Sequence, residues 1–224
     1  MRRTARCDRA RRTGGFTLIE LLVAIAILAV VALLSWRGLD AIVRARETIT
    51  RSMAEERAFA QMFDQMRIDA RMAANDDEAG APAIALEGGT LQFVRAFAVP
   101  PGAPPRLQVV RYRVTAGQVV RYASPPLANL GALRRALRGD VSDTWSALPM
   151  MRGVGSINAR FYVPKVGWTA DMSAVSEQVA DGNNGVAVAQ LGNAPVPRVV
   201  RGIEVSVGSS SLTRPVTRVL LVGE

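Results

Sequence analysis

One carboxylate, Glu20, stands inside an otherwise apolar stretch running from Phe16 to Trp36. A run of this length matches the roughly 20 apolar residues that a helix needs to cross a bilayer. A charged side chain at the centre of such a helix costs roughly 2.5–3.5 kcal/mol on insertion scales, so an acid there marks a functional site by default. A glutamate that merely snorkels to the interface is the bland alternative. The rest of the chain is poorly equipped for catalysis. It contains no histidine, and its single cysteine, Cys7, lies in an arginine-rich leader. There are no paired carboxylates in a recognisable setting and no glycine loop suited to phosphate, so no catalytic residue, metal ligand set or cofactor is expected. The acidic cluster Asn75-Asp76-Asp77-Glu78 could attract calcium. It lacks the alternate ligand spacing with a turn glycine, which favours a solvated loop at a helix end.

The charge distribution orients the apolar segment. Residues 1–15 hold six arginines against one acid, Asp8, whereas the remaining 22 basic and 18 acidic residues nearly cancel. The surplus therefore belongs to a short flank, which weakens any nucleic-acid reading of the high pI. Positive charge beside a span stays on the cytoplasmic side, so the residues after Trp36 are expected outside the cytoplasm. A cleaved secretory signal would place small residues after the apolar run. Here the pair Gly14-Gly15 precedes it, and Ser35-Trp36-Arg37 follows. A plain signal anchor fits the hydropathy but explains neither Glu20 nor the Gly-Phe junction.

From Arg37 to about Ala74, Leu39, Ile42, Val43, Ile49, Met53, Phe59, Met62, Phe63, Met66 and Ala70 recur at three- and four-residue steps. That spacing is one apolar stripe on an amphipathic helix. No proline interrupts residues 16–74, so a single helix of about 90 Å is expected at 1.5 Å per residue. A coiled-coil partner is a competing use of the stripe. Gly38 either lets the helix bend where it leaves the membrane or is idle. Beyond Pro82 the pattern changes to short strands. Thr90–Ala98 alternates, and Leu107–Thr115 with Gln118–Ala123 predicts a hairpin about Ala116-Gly117. In that hairpin Val110, Tyr112, Val114, Val120 and Tyr122 are expected inward, with Arg111, Arg113 and Arg121 on the wet face. Leu130–Arg138 reads as a short helix, Gly153–Pro164 as a strand and Asp171–Pro197 as a loop. Two final strands are expected over 198–207 and 215–222. The expected fold is α+β, a long N-terminal helix packed on antiparallel sheet.

Gly15-Phe16-Thr17-Leu18-Ile19-Glu20, set between a basic leader and a span, resembles the class III signal of type IV pilins and type II secretion pseudopilins. Ser35-Trp36-Arg37-Gly38-Leu39-Asp40, Met151-Arg152-Gly153-Val154 with Arg160-Phe161-Tyr162 and Gly167-Trp168, and Pro197–Glu204 are similar to elements of the J-type minor pseudopilins. Residues 171–196 depart from that pattern.

The resemblance implies a pilin-like fold in four parts. These are a leader over 1–15 that is removed, a transmembrane helix over 16–36, its amphipathic continuation over 37–74, and a periplasmic β-rich domain over 75–224. It implies scission after Gly15 by the prepilin peptidase, N-methylation of Phe16, and pairing of Glu20 with the new amine, its own or a neighbour's, during filament assembly. The implied role is structural: a minor pseudopilin at the pseudopilus tip, anchored in the inner membrane and helping to initiate assembly for export of folded proteins. The implied partners are the I- and K-type minor pseudopilins, other pseudopilins and the inner-membrane secretion platform. A minor pilin of a type IV pilus and a DNA-uptake pseudopilin are the alternatives. The second is disfavoured by the modest charge after residue 15 and by the lack of aromatics interleaved with basic residues.

Overall fold

A computed structural model describes residues 15–97, 106–139, 141–164, 166–177 and 199–223. The arginine leader, the Gly102–Pro105 break and Pro197-Arg198 lie outside the described residues. Helix α1 spans Leu18–Arg71, followed by α2 (Asp76–Ala79), strands β1 (Ile84–Glu87), β2 (Thr90–Phe97), β3 (Arg106–Thr115) and β4 (Gln118–Ala123), and helix α3 (Leu130–Arg138). Strands β5 (Ser146–Arg152), β6 (Val154–Val163), β7 (Gly167–Thr169), β8 (Gly202–Ser209) and β9 (Val216–Leu221) complete the order. The chain divides into two compact units, the first ending at Ala54 and the second beginning at Glu55.

In the first unit every described residue is exposed. Leu39, Ile42, Val43, Ile49 and Met53 of the apolar stripe are among them. An 18-residue window of α1 reaches a mean hydropathy of 2.9 with none of it buried, so the helix is long and apolar enough to cross a membrane.

The second unit holds the core. Phe59, Met62, Phe63, Met66 and Ala70, the later members of the stripe, are buried with residues of both sheets in one apolar cluster. The helix stops at Arg71, earlier than the expected Ala74, because the next residues change partner. The Ala96 amide donates to the Met72 carbonyl and the Ala74 amide to the Val94 carbonyl, each at 2.9 Å, which draws the chain alongside β2. The first sheet is an antiparallel meander in the order β1-β2-β3-β4-β5, and the second has the order β7-β6-β8-β9. Strands β1 and β5 are additions to the sequence reading, and β5 carries Pro149 at the edge of its sheet, where proline is tolerated. Only Gly153 separates β5 from β6, at φ 75°, so the chain passes between sheets through a conformation suited to glycine. Residues 172–177, expected as loop, are helical, and Val175 is buried.

The β3–β4 hairpin forms about Ala116-Gly117 with both residues at positive φ, 50° and 72°. This two-residue geometry favours Asn-Gly, and an alanine in the left-handed region costs about 1 kcal/mol. Ala116→Asn is therefore expected to raise the thermal midpoint by about 2–4 °C, as read by circular dichroism of the full chain in detergent.

The inward face of β4 corrects the sequence reading. A two-residue turn pairs Thr115 with Gln118 and therefore Tyr112 with Arg121. Arg121 shares the buried face with Tyr112, and Val119 is fully buried, while Tyr122 is half-buried on the opposite side. Phe97 and Val114 are half-buried as well.

Candidate functional site

Two polar assemblies stand out, one at the start of α1 and one in the core of the second unit. At the first, Gly15, Phe16 and Thr17 precede the helix in non-helical conformation, and Phe16 is 83 % exposed. Thr17 and Glu20 form a reciprocal cap. The Glu20 amide donates to Thr17 Oγ1 at 3.4 Å, while the Thr17 amide and hydroxyl donate to Glu20 Oε2 at 3.4 and 3.3 Å. Threonine followed three residues later by glutamate is the capping-box pattern, legible in Thr17-Leu18-Ile19-Glu20 yet missed in the sequence reading. Glu20 Oε1 carries no hydrogen bond among the described residues. The structure thus brings Gly15, Phe16 and Glu20 into the first turn and its approach. It holds the carboxylate on the amide immediately after Phe16.

The second assembly was not anticipated. Asp69 lies on the apolar stripe of α1, three residues after Met66, and its side chain is fully buried. Arg121 donates from Nε to Asp69 Oδ2 at 2.7 Å and from Nη2 to Oδ1 at 2.9 Å. Arg95 Nη1 donates to Oδ1 at 2.8 Å, and the Tyr112 hydroxyl to Oδ2 at 2.6 Å. Arg95 also donates to Gln108 Oε1, whose amide in turn donates to the Ser124 carbonyl. One carboxylate thereby joins α1 to β2, β3 and β4. A carboxylate near a helix C-terminus opposes the macrodipole, so Asp69 depends on its two arginines. The carboxylate is fully buried and both arginine side chains nearly so, and the network's role is to fix the helix end on the sheet.

Burial, and then the Asp69 charge, hold the Tyr112 phenol well above its ordinary value of 10.0. Burial pulls the Arg121 guanidinium down, but its bonds and charge interaction with Asp69 outweigh this and leave it raised. For Tyr112 the stability contribution is intact below the unfolded value of 10.0. It is lost as pH rises above that, since only the unfolded chain can release the phenolic proton. The thermal midpoint is expected to fall from about pH 10 upward, and Tyr112→Phe to flatten that fall.

The acidic stretch 75–78 is a helical turn instead of the expected loop. Asp76 is not merely solvated: its Oδ1 accepts from the Ala83 amide at 2.8 Å and its Oδ2 from the Val199 amide at 3.0 Å. Among the described residues no group of three or more His, Cys, Asp or Glu side chains could hold a metal. Arg111 and Arg113 do lie on the face opposite Tyr112. That face is not wholly wet, because α3 covers part of it and Arg111 is buried against the helix end.

Comparison with known proteins bears on both units. Residues 10–36 match the family model described as the prokaryotic N-terminal methylation motif. Residues 37–221 match that described as type II secretion system protein J. The chain is also similar to the type II secretion system protein J of Klebsiella pneumoniae, 34% identical over 123 residues. That match covers 50% of this chain and 62% of the Klebsiella protein.

Proposed function

Since the chain belongs to the type II secretion system protein J family by a match over residues 37–221, we propose that it is a minor pseudopilin. It serves as a structural subunit at the tip of the pseudopilus and helps to start the assembly that exports folded proteins across the outer membrane. The observation carrying this reading is the junction of the two family matches. A methylation motif over 10–36 runs directly into the protein J region at 37. The exposed apolar first part of α1 supports an inner-membrane anchor, and the arginine leader supports a cytoplasmic N-terminus with the β-rich domain in the periplasm.

In this reading the prepilin peptidase cuts between Gly15 and Phe16, and Phe16 becomes the N-methylated N-terminus. Gly15 presents no side chain to a protease groove that binds extended backbone. The new amine, with an ordinary pKa of about 7.7–8.0, emerges at the edge of an apolar helix. Glu20, one turn on, supplies the opposite charge, within the subunit or to a neighbour. The I- and K-type minor pseudopilins, other pseudopilins and the inner-membrane platform are the partners.

The test uses the full chain expressed in a type II-secreting bacterium and extracted in detergent. Intact mass and N-terminal sequencing are expected to give N-methylated Phe16, with the leader retained when the prepilin peptidase is absent. Two other minor pseudopilins are expected to co-purify. Salt-sensitive retention of duplex DNA with no pilin-like partner would overturn the reading.

A further inference from the structure

The second sheet turns one face to the core, where Phe161 and Ile203 are fully buried, and the other outward. The strand register places Trp168, Tyr162, Gly202 and Leu221 in one row across the outward face, one residue from each of β7, β6, β8 and β9. Three strand spacings make that row about 14 Å long. Trp168 and Tyr162 are each 41% exposed and Leu221 53%, so the rings can be reached from outside.

Trp168 does not stand up from this row. A methyl placed on Gly202 would meet Trp168 Cη2 at 3.6 Å, although β6 lies between β7 and β8. An indole reaches that far only by lying along the sheet, with one face on the strands and the other turned out. Glycine at 202 leaves the room for it. The Tyr162 ring stands beside the indole, with ring centres 5.5 Å apart and planes at 58°, so the two form a floor and a wall. Neither the indole N–H nor the phenol has a hydrogen-bond partner among the described residues.

The neighbouring row adds a polar edge. Arg160 faces Glu204 across β6 and β8. It donates from Nε to Glu204 Oε1 at 2.8 Å, with Nη2 at 2.7 Å from the same oxygen. Glu204 Oε2 and Arg160 Nη1 are without partners among the described residues. An exposed ion pair of this kind adds little to stability. It does hold one acceptor and one donor in place beside the aromatic corner, which lowers the ordering cost of a ligand that uses both.

We propose that this outward face is a glycan-binding site, which takes a pyranose ring with equatorial hydroxyls on the Trp168 indole. Such a ring is apolar on its faces, where the C–H groups lie, and hydroxylated at its rim. The exposed indole covers the face, Tyr162 closes one side, and a vicinal pair of hydroxyls meets Glu204 Oε2 and Arg160 Nη1. A hydroxyl both donates and accepts, so the mixed pair suits a diol. A polypeptide would seat an anchor side chain in a pocket, whereas this surface is a flat plate edged with hydrogen-bonding groups. The row continues past Gly202 to Leu221, beyond the reach of one ring, so the glycan is an oligosaccharide or a longer strand. The assignment rests on the sheet and not on the family reading.

The experiment is a titration of the ¹⁵N-labelled full chain in a detergent without a sugar headgroup. It follows the Trp168 Nε1–Hε1 resonance, assigned by its loss in Trp168→Phe, and for variants the backbone amides of β6 and β8. The probes are cellobiose, cellotetraose, sorbitol and N-acetyl-Pro-Gly-Pro-amide. Saturable shifts are expected with both sugars, and none with sorbitol, which carries hydroxyls without a rigid ring face. Cellotetraose at least tenfold tighter than cellobiose identifies an extended glycan strand, and equal affinity identifies a short free sugar. Trp168→Ala is expected to weaken cellobiose at least about tenfold, the scale of one lost stacking face. Trp168→Phe, which keeps a smaller aromatic face, and Glu204→Gln are each expected to weaken it several-fold at an unchanged thermal midpoint. Sugar shifts that do not saturate, sorbitol equal to cellobiose, or native affinity in Trp168→Ala would each overturn the proposal. So would a proline peptide that binds tenfold tighter than cellobiose, since the occupant would then be a polypeptide.

Discussion

Asp69→Ala is expected to lower the stability of the second unit by about 3–5 kcal/mol, because it leaves buried Arg121 and half-buried Arg95 facing each other without their counter-ion. The side chains of Arg95 and Arg121 are only 15% and 10% exposed, so water cannot replace the lost carboxylate at full strength. Loss of the acceptor also strands the Tyr112 hydroxyl. The measurement is denaturant unfolding of the full chain in detergent, followed by near-ultraviolet circular dichroism. The midpoint is expected to fall while the slope stays near that of the native chain. Arg121→Met alone is expected to be similarly damaging. Asp69→Leu combined with Arg121→Met and Arg95→Met is expected to recover most of the loss, because an apolar replacement of a whole buried ion network is often neutral or stabilising. A midpoint unchanged by Asp69→Ala would mean that the helix end is held by its apolar contacts alone.

Those apolar contacts were legible from the chain, and the ion network was not, for a physical reason. The stripe Phe59, Met62, Phe63, Met66 and Ala70 announces itself by period, and each member is buried. Asp69 sits on that same stripe, but a helix-face count treats one acid among apolar residues as noise. The signal was available in the hairpin. A two-residue turn at Ala116-Gly117 makes Arg121 the cross-strand partner of Tyr112, so an inward tyrosine carries the arginine inward with it. Alternation alone led the other way, because Val119 and Val120 are both apolar and let the parity of β4 be read either way. A buried arginine needs an acid, and the stripe offers only Asp69 at the right end of the helix. The helix α3 was read with its correct bounds because Asn129 caps it, accepting from the Ala132 amide at 2.8 Å, and Gly139 ends it. Strand β5 was missed because it lies at a sheet edge, is largely exposed and contains a proline, so it lacks the alternation by which strands are recognised. The α+β class emerged from the sequence because one long helix and a series of short strands differ in period, which survives local errors of parity, while the pilin-like character came from the resemblance of the Gly15–Glu20 motif.

Glu20 offers the sharper separation of roles, because it caps α1 in the structure and pairs with an amine in the proposed reading. It caps α1 through Oε2, and the same carboxylate, with Oε1 unengaged among the described residues, can accept from an amine at Phe16 or on a neighbouring subunit. Glu20→Gln keeps an acceptor oxygen and so retains much of the capping box, whereas Glu20→Ala removes both cap and charge. If the proposed charge pair recruits subunits, both variants are expected to be cut at the proposed site after Gly15 and then to fail in filament incorporation. An unpaired amine in an apolar setting costs about 3–5 kcal/mol, which corresponds to a drop of at least about a hundredfold. If capping is the whole role, Glu20→Gln incorporates like the native chain and Glu20→Ala falls only by the roughly 0.5–2 kcal/mol of a lost cap. Quantifying each variant in sheared pseudopili, beside its N-terminal mass, distinguishes these outcomes. Native-level incorporation of Glu20→Ala would leave the carboxylate with neither duty. In the proposed reading the two duties are sequential: the cap orders the first turn while Gly15 is still attached, and scission would then create the cation for Oε1 to meet.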